Sequence, residues 1–442
     1  MSNTFSQHFT YRKLLKFTCP SIVMMIFMSL YTIVDGIFVS NVAGDIPFAA
    51  LNLIWPVISV LSAFGFMMGA GGSAFVAKTL GEQDHEKARG AFSFLAGFTF
   101  LLGLLLGGTA SLFMGDFARM LGAAPEMMPH CIAYGCILAW LLPAAFIQNF
   151  MLYFVVTADR PQFGLYITLA AGAANMILDW LFVFVMRWGV AGAALATGLS
   201  WVISSLLPVI YFARPNGSLL RLGRPLVDWG IVRQSALNGS SEMVANLSMS
   251  VVAILYNYEL MKFLGSDGVV AYGIIQYISF VFASAFLGYN TGVSPVIAYN
   301  LGAGNRKELH SLLKKSLVLI SLASVIMLVV SESLSRTFAS VFVSYSPQLM
   351  DLCTHAIRIY SVNFLMCGFG IFGSGFFTAL NNGMVSALLS FFRTFLFQVV
   401  SIVGLPLLFG MEGIWNAVNV AEGLAMVMSL FYIAKYRRVY GY

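Results

Sequence analysis

Two aspartates stand where hydrocarbon should exclude them. Asp35 lies toward the far end of an apolar run over 14–42, and Asp179 lies within another over 162–186. Asn175 precedes Asp179 by four residues, a spacing that puts both on one face of a helix. Thr197 falls inside the run 189–213, and Tyr134, Gln148 and Asn149 inside 127–157. An ionisable group at the centre of a span costs roughly 2.5–3.5 kcal/mol on insertion scales, so each one demands an account. Two carboxylates with amide and hydroxyl neighbours form a hard-oxygen set. Held close in a low dielectric, such a pair can share a proton or ligate a sodium ion. Either loading makes an ion-coupling site. The plainer alternative is an interhelical hydrogen-bond network that only glues the spans together, but glue rarely needs two carboxylates.

The elements that must position these residues follow from composition. The chain has 442 residues, 59% hydrophobic and only 10% charged, against about 25% charged in soluble domains. Its mean hydropathy of +0.86 calls for lipid as solvent. A span takes roughly 20 apolar residues, and the pattern predicts twelve helices over 14–42, 49–80, 90–114, 127–157, 162–186, 189–213, 234–264, 269–301, 309–335, 347–379, 382–409 and 411–435. The first run is too long for the apolar core of a signal peptide. The fold class expected is an all-α membrane protein with two pseudo-symmetric six-helix lobes. The lobes cover 1–213 and 234–442, joined by a linker over 214–233.

Charge sets the expected orientation. Of the 24 Lys and Arg, eighteen fall at the N-terminus, the C-terminus, the linker and the alternate loops on that side; four fall on the other side and two within spans. The positive-inside rule then places both termini in the cytoplasm of a bacterial inner membrane. The net charge of +6 is therefore no sign of a nucleic-acid partner. The five cysteines lie in apolar helical stretches without metal-ligand spacing, and no cofactor or structural metal is expected.

The repeat is visible directly. Shifted by 221 residues, half the length, Gly71, Ser73, Ala77, Leu80 and Gly81 fall on Gly292, Ser294, Ala298, Leu301 and Gly302. Thr157-Ala158 falls on Thr378-Ala379, and Gly189 and Gly192 on Gly410 and Gly413. Six-span halves give repeats of equal orientation, with the substrate path between them. The aspartates are not repeated: position 35 maps to Tyr256 and 179 to Val400. The main acid of the second half is Glu242, flanked at one turn by Asn238 and Asn246, with Glu422 and Arg358 as weaker cavity-lining candidates. Pro20 removes a backbone hydrogen bond about four turns before Asp35, which makes the first helix bendable and a candidate gate. Gly368, Gly370 and Gly373 spell GxGxxG inside an apolar span, where close packing explains them better than a nucleotide. Met24, Met28 and their neighbours could line a forgiving pocket, or simply pack.

On VDGIFVSNVAG (34–44), AKTLGEQDHEKAR (77–89) with its repeat AYNLGAGNRKE (298–308), and NMILD (175–179) followed by GVAGAALATGLS (189–200), the chain resembles the multidrug and toxic-compound extrusion (MATE) family over nearly its whole length. The resemblance implies a V-shaped bundle of twelve helices. It also implies secondary antiport, the export of amphipathic and often cationic compounds against inward H+ or Na+. It places the first-lobe cation site at Asp35, Asn175, Asp179, Thr197, Tyr134 and Asn149, and the bending proline at Pro20. Many members carry a second-lobe acid about one turn after Glu242, near Asn246, so the chain departs from them there. Its partners would be small organic substrates and the bilayer, and the protein would act as a monomer. The alternatives are a lipid-linked oligosaccharide flippase, which usually needs several cavity arginines or lysines, and a dedicated metabolite exporter. An intramembrane enzyme lacks a convergent catalytic set in this sequence, so no enzyme activity is expected.

Overall fold

The computed structural model describes the backbone of residues 4–42, 45–343 and 346–442, and their side chains except those of 35–42 and 45. Asp35 thus lies, by its side chain, outside the described residues. Among those described, nine helices are long and apolar enough to cross a membrane, and a bent pair forms a tenth span. Two of the nine fold back on themselves. In Trp229–Gly302 the break is at Gly265 (φ 60°), and Tyr256 stacks on Tyr272 with ring centroids 4.4 Å apart. Sixteen residues of unbroken helix would hold them about 24 Å apart. In Phe397–Tyr440 the break is Gly410 (φ 57°), where a Cβ on Gly413 would sit 2.8 Å from the Pro406 nitrogen. Both positions need the left-handed backbone that glycine adopts without penalty.

Twelve spans result. α1 is Tyr11–Val42, α2 Asp45–Gly81, α3 His85–Leu112, α4 Met128–Thr157, α5 Pro161–Asp179 and α6 Gly189–Ala213. α7 and α8 are the two arms of Trp229–Gly302, and α9 is Arg306–Val343. α10 joins Pro347–Ser361 to Phe364–Ala379 across a 48° bend. α11 and α12 run from Gly383 to Tyr440 on either side of Gly410. Among the described residues the spans fall on the expected apolar runs, and the bend in α10 breaks one expected to be continuous.

The 221-residue offset seen in the sequence recurs as geometry. Gln83 and Gly304 both take positive φ. The next residues, Asp84 and Asn305, each cap the following helix, accepting from Lys87 N (3.0 Å) and Glu308 N (3.1 Å). The helix contacts repeat as well. A Cβ on Gly81 would collide with the Tyr299 carbonyl oxygen, and one on Gly302 with that of Lys78. Residues 78 and 299, like 81 and 302, are equivalents under the offset, so this crossing of α2 and α8 maps onto itself. Gly71 and Gly239 bring α2 against α7 so closely that a Cβ on Gly71 would lie 2.6 Å from the Gly239 nitrogen. Their equivalents, Gly292 on α8 and Thr18 on α1, make the matching crossing. Small residues let helix backbones touch where lipid offers no hydrophobic drive to associate.

At the same end of the bundle the N-terminal segment straps the halves together. Thr4 Oγ1 donates to Asp159 Oδ2 at 2.6 Å, in the turn between α4 and α5. Phe9 N donates to Glu308 Oε1 at 2.9 Å, and His8 Nδ1 meets Glu308 Oε2 at 2.6 Å. Asn300 Nδ2 donates to the Phe5 carbonyl at 3.2 Å. Phe5 itself wedges between Phe17 and Tyr299, both ring centroids at 5.7 Å.

Burial raises the Asp159 carboxyl above its ordinary 3.8, opposed by the Thr4 hydrogen bonds and by Arg160. A raised folded-state value means that the fold favours the protonated form. That stabilisation is complete at low pH and is lost as pH rises through the folded-state value. Asp159 has φ 63°, which asparagine also tolerates. Asp159→Asn is therefore expected to melt higher than the wild type at pH 7. The advantage should vanish as pH falls through the raised range, read from paired melting curves.

Candidate functional site

Two close approaches set α1 against α5. A Cβ on Gly164 would lie 3.4 Å from Met24 Sδ, and one on Gly172 2.6 Å from Phe27 and 3.4 Å from Tyr31. The contacts advance together along both helices, so α1 and α5 run parallel. One turn beyond Tyr31, α1 reaches the backbone of Asp35. One and two turns beyond Gly172, α5 reaches Asn175 and Asp179, each only 1% exposed. Both amide atoms of Asn175 are buried and make no hydrogen bond among the described residues. A buried polar group left so costs about 1–3 kcal/mol; a cation would satisfy the amide oxygen alone, while a water could serve either atom. Directly after Asp179 the helix widens into a π segment over Trp180–Val185, a local form that recurs at functional sites.

The other expected members divide. Tyr134 is buried at 3% exposure in the packed region between α4 and α6 that also holds Val190 and Ala194. Thr197 is half-buried one turn after Ala194, and its carbonyl accepts from Ser200 Oγ at 2.7 Å. Asn149, 6% exposed, donates through Nδ2 to the Ser62 carbonyl of α2 at 3.2 Å. That bond ties α4 to α2. Pro20 is buried within α1, on the side facing α5.

Below the aspartate level lies a cavity of about 30 Å³, room for about two waters. Met24, Met28, Met151, Tyr31, Thr168 and Gln148 are among its walls. Gln148 Oε1 is buried there without a hydrogen-bond partner among the described residues. The cavity hydroxyls of Thr168 and Ser204 were not singled out from the sequence. Nothing but their place in apolar helices marks them, and small hydroxyl residues are common in spans.

The second half is built differently. Glu242 is half-buried. Asn246 Nδ2 donates to the Glu242 backbone carbonyl at 2.8 Å and so serves its own helix. Asn238 donates to the Thr378 carbonyl at 2.9 Å. Glu422 accepts from Arg393 Nε at 2.9 Å, with side chains 7% and 19% exposed. Arg358 is 59% exposed and bonds Ser335 Oγ at 3.2 Å. Among the described residues, then, neither arginine offers an unpaired charge deep between the halves. The GxGxxG run packs helices: a Cβ on Gly370 would lie 2.6 Å from Arg393 Cδ, and one on Gly368 2.6 Å from Phe286.

Removing one member of a buried pair leaves a charge stranded, which costs about 3–5 kcal/mol. Glu422→Ala should lower thermal stability on that scale. Pairing Arg393→Met with Glu422→Leu should recover most of the loss, as melting curves of the purified variants would record.

The MatE family profile matches residues 20–181 and again 243–403. The chain belongs to the MatE family. The two matches fall on the two repeats, and membership makes this multi-pass membrane protein a transporter rather than an enzyme. Among curated relatives, the multidrug export protein MepA of Staphylococcus haemolyticus is 24% identical, across 98% of this chain and 95% of that protein. MepA of Staphylococcus saprophyticus is 23% identical, across 99% and 95%. Among solved structures, an outward-facing multidrug-resistance MATE transporter of the MOP superfamily superposes with a TM-score of 0.93 at 21% identity, across 99% of this chain and 98% of that one. A MOP-superfamily transporter from Pyrococcus furiosus does so at 0.91 and 21% identity, with the same coverage. The twelve-helix MATE architecture read from the sequence is thus the one the chain adopts.

Proposed function

We propose that this MatE-family protein is an antiporter that exports amphipathic, often cationic, organic compounds in exchange for H+ or Na+ entering the cell. It would work as a monomer in the bacterial inner membrane with both termini in the cytoplasm. Its six-helix lobes would be 1–213 and 234–442, joined by the linker 214–233. The observation that carries the reading is the buried Asn175–Asp179 face of α5, beside the parallel turn of α1 that bears Asp35. Tyr134 and Thr197 stand in the adjoining α4–α6 packing, and Asn149 braces α4 against α2. The MepA relatives, named for multidrug export, support the substrate class.

The coupling cycle follows from charge. The ion arrives at Asp35 and Asp179 from outside and neutralises them. With the charge gone, α1 can bend at Pro20 and shrink the first-lobe cavity, which lowers affinity for the exported compound. Binding of that compound from inside favours the charged, open cavity. The two ligands exclude each other, and the linkage is reciprocal. Glu242 is the second-lobe candidate, with Asn246 serving its backbone. Efflux from proteoliposomes under a sodium gradient and a pH gradient, imposed separately, tests the reading. One of the two should drive export of a cationic dye against its gradient. Equal rates with neither gradient and with both would sink it.

A further inference from the structure

Beside Pro20, at the end of the bundle held by the N-terminal strap, α1 and α5 splay apart around a groove of about 530 Å³. Its rim is cationic: Lys13, Lys16 and Arg160, with His8 close by. Lys13, Lys16 and Arg160 are all exposed. One guanidinium nitrogen of Arg160 donates to the Gly217 carbonyl at 3.0 Å. Asp159 is the one acid in the lining, and it already accepts from Thr4. Deeper in, the walls turn apolar at Phe17, Phe163 and Pro20. Tyr166, 66% exposed, stands at the edge, where aromatic rings mark the membrane–water boundary. A charged mouth over an apolar floor, open beside two lipid-facing helices, has the form of a phospholipid and not of a soluble ion alone.

The second half supplies an internal comparison. The equivalent groove, about 520 Å³, lies between α7 and the start of α11. There, 221 residues on, Gln234 and Leu237 replace Lys13 and Lys16. The turn residues with positive φ, Asp159 and Asn381, lie 222 residues apart, one more than the offset elsewhere; aligned on that turn, Asn382 stands for Arg160. Arg233 is the one cation among its lining residues. Two grooves of nearly equal size on one repeat, one lined by Lys13, Lys16 and Arg160 and the other by Arg233 as its one cation, mean that the lysines are not needed to build the groove.

We propose that the α1–α5 groove binds one anionic phospholipid from the surrounding leaflet. Lys13, Lys16 and Arg160 hold its phosphate, and an acyl chain lies over Phe17 and Pro20. A lipid seated there touches the residue at which α1 lacks a backbone hydrogen bond.

The test is lipid retention by the full-length protein in detergent, titrated with phosphatidylglycerol or phosphatidylcholine and read by native mass spectrometry. The wild type should hold one phosphatidylglycerol in preference to phosphatidylcholine. Lys13→Gln with Lys16→Leu, which copies the second groove, should weaken that binding by roughly fivefold per lysine, about 25-fold together. Arg160→Asn should weaken it about fivefold. Conversely, Gln234→Lys with Leu237→Lys should add a second phosphatidylglycerol, a gain that misfolding cannot mimic. Lys314→Gln, an exposed lysine at the same end of the bundle, serves as control and should change nothing. Unchanged retention in the Lys13/Lys16 variant, equal binding of the two lipids, or displacement of the lipid by millimolar inorganic phosphate would each overturn the proposal.

Discussion

Asp179→Asn is expected to abolish gradient-driven export, to the level of empty vesicles, while the protein still inserts and folds. The substitution keeps volume and one acceptor oxygen but removes the group that can exchange charge with an ion. Asp179 is 1% exposed, so no bulk solvent rescues a missing charge. Under the proposed coupling Asp35→Asn should have the same effect, since neutralising either acid would leave the other without a second carboxylate. The structural alternative, a hydrogen-bond network that only glues helices, makes the opposite forecast. Asparagine bonds well across helices, so transport would survive in both variants. Reconstituted efflux of a cationic dye, normalised to protein inserted, decides between them.

The second large effect lies at the crossing of α2 and α8. Gly302→Val places a side chain against the backbone of Lys78, and Gly81→Val does the same at Tyr299. The obstacle in each case is a carbonyl, which has no rotamer to yield. Overpacking costs typically about 1–3 kcal/mol where side chains can adjust, and here the helices themselves must part. Each variant should lower the melting temperature strongly and raise the labelling of cysteines placed between α2 and α8. The two should resemble one another, because the repeat exchanges their positions. Gly97→Ala, where a Cβ meets nothing within 4 Å, should be neutral or slightly stabilising. A Gly302→Val protein as stable and as closed as the wild type would show that the crossing is not a tight seam.

Much of this architecture was legible in the chain. Spans are written as long apolar runs, because each must satisfy its backbone internally and face lipid. The repeat survived as glycines at a constant offset because those glycines are the crossings: Gly81 with Gly302, and Gly71 with Gly239. The bend in α10 was not legible, because Val362 and Asn363 continue an apolar, proline-free segment. The candidate site was readable where charge made it costly, at Asp179 and its neighbour Asn175. It was less readable at Asn149 and Asn246, whose amides bind backbone carbonyls; an amide in a span looks the same whether it braces a helix or faces a ligand. The paired groove between α1 and α5 escaped the sequence reading altogether. Lys13 and Lys16 were counted there as orientation signals, and only the fold shows them lining one cavity with Arg160.

The coupling reading turns on competition between the exported compound and an ion held at Asp179. Its most direct measurement is ion release from purified protein in weakly buffered solution on addition of a tightly bound cationic substrate. The wild type should release protons, or sodium where sodium is the coupling ion, in proportion to substrate bound. Asp179→Asn should bind the substrate and release none. Release of equal size from the variant would contradict the assignment of the ion to this aspartate.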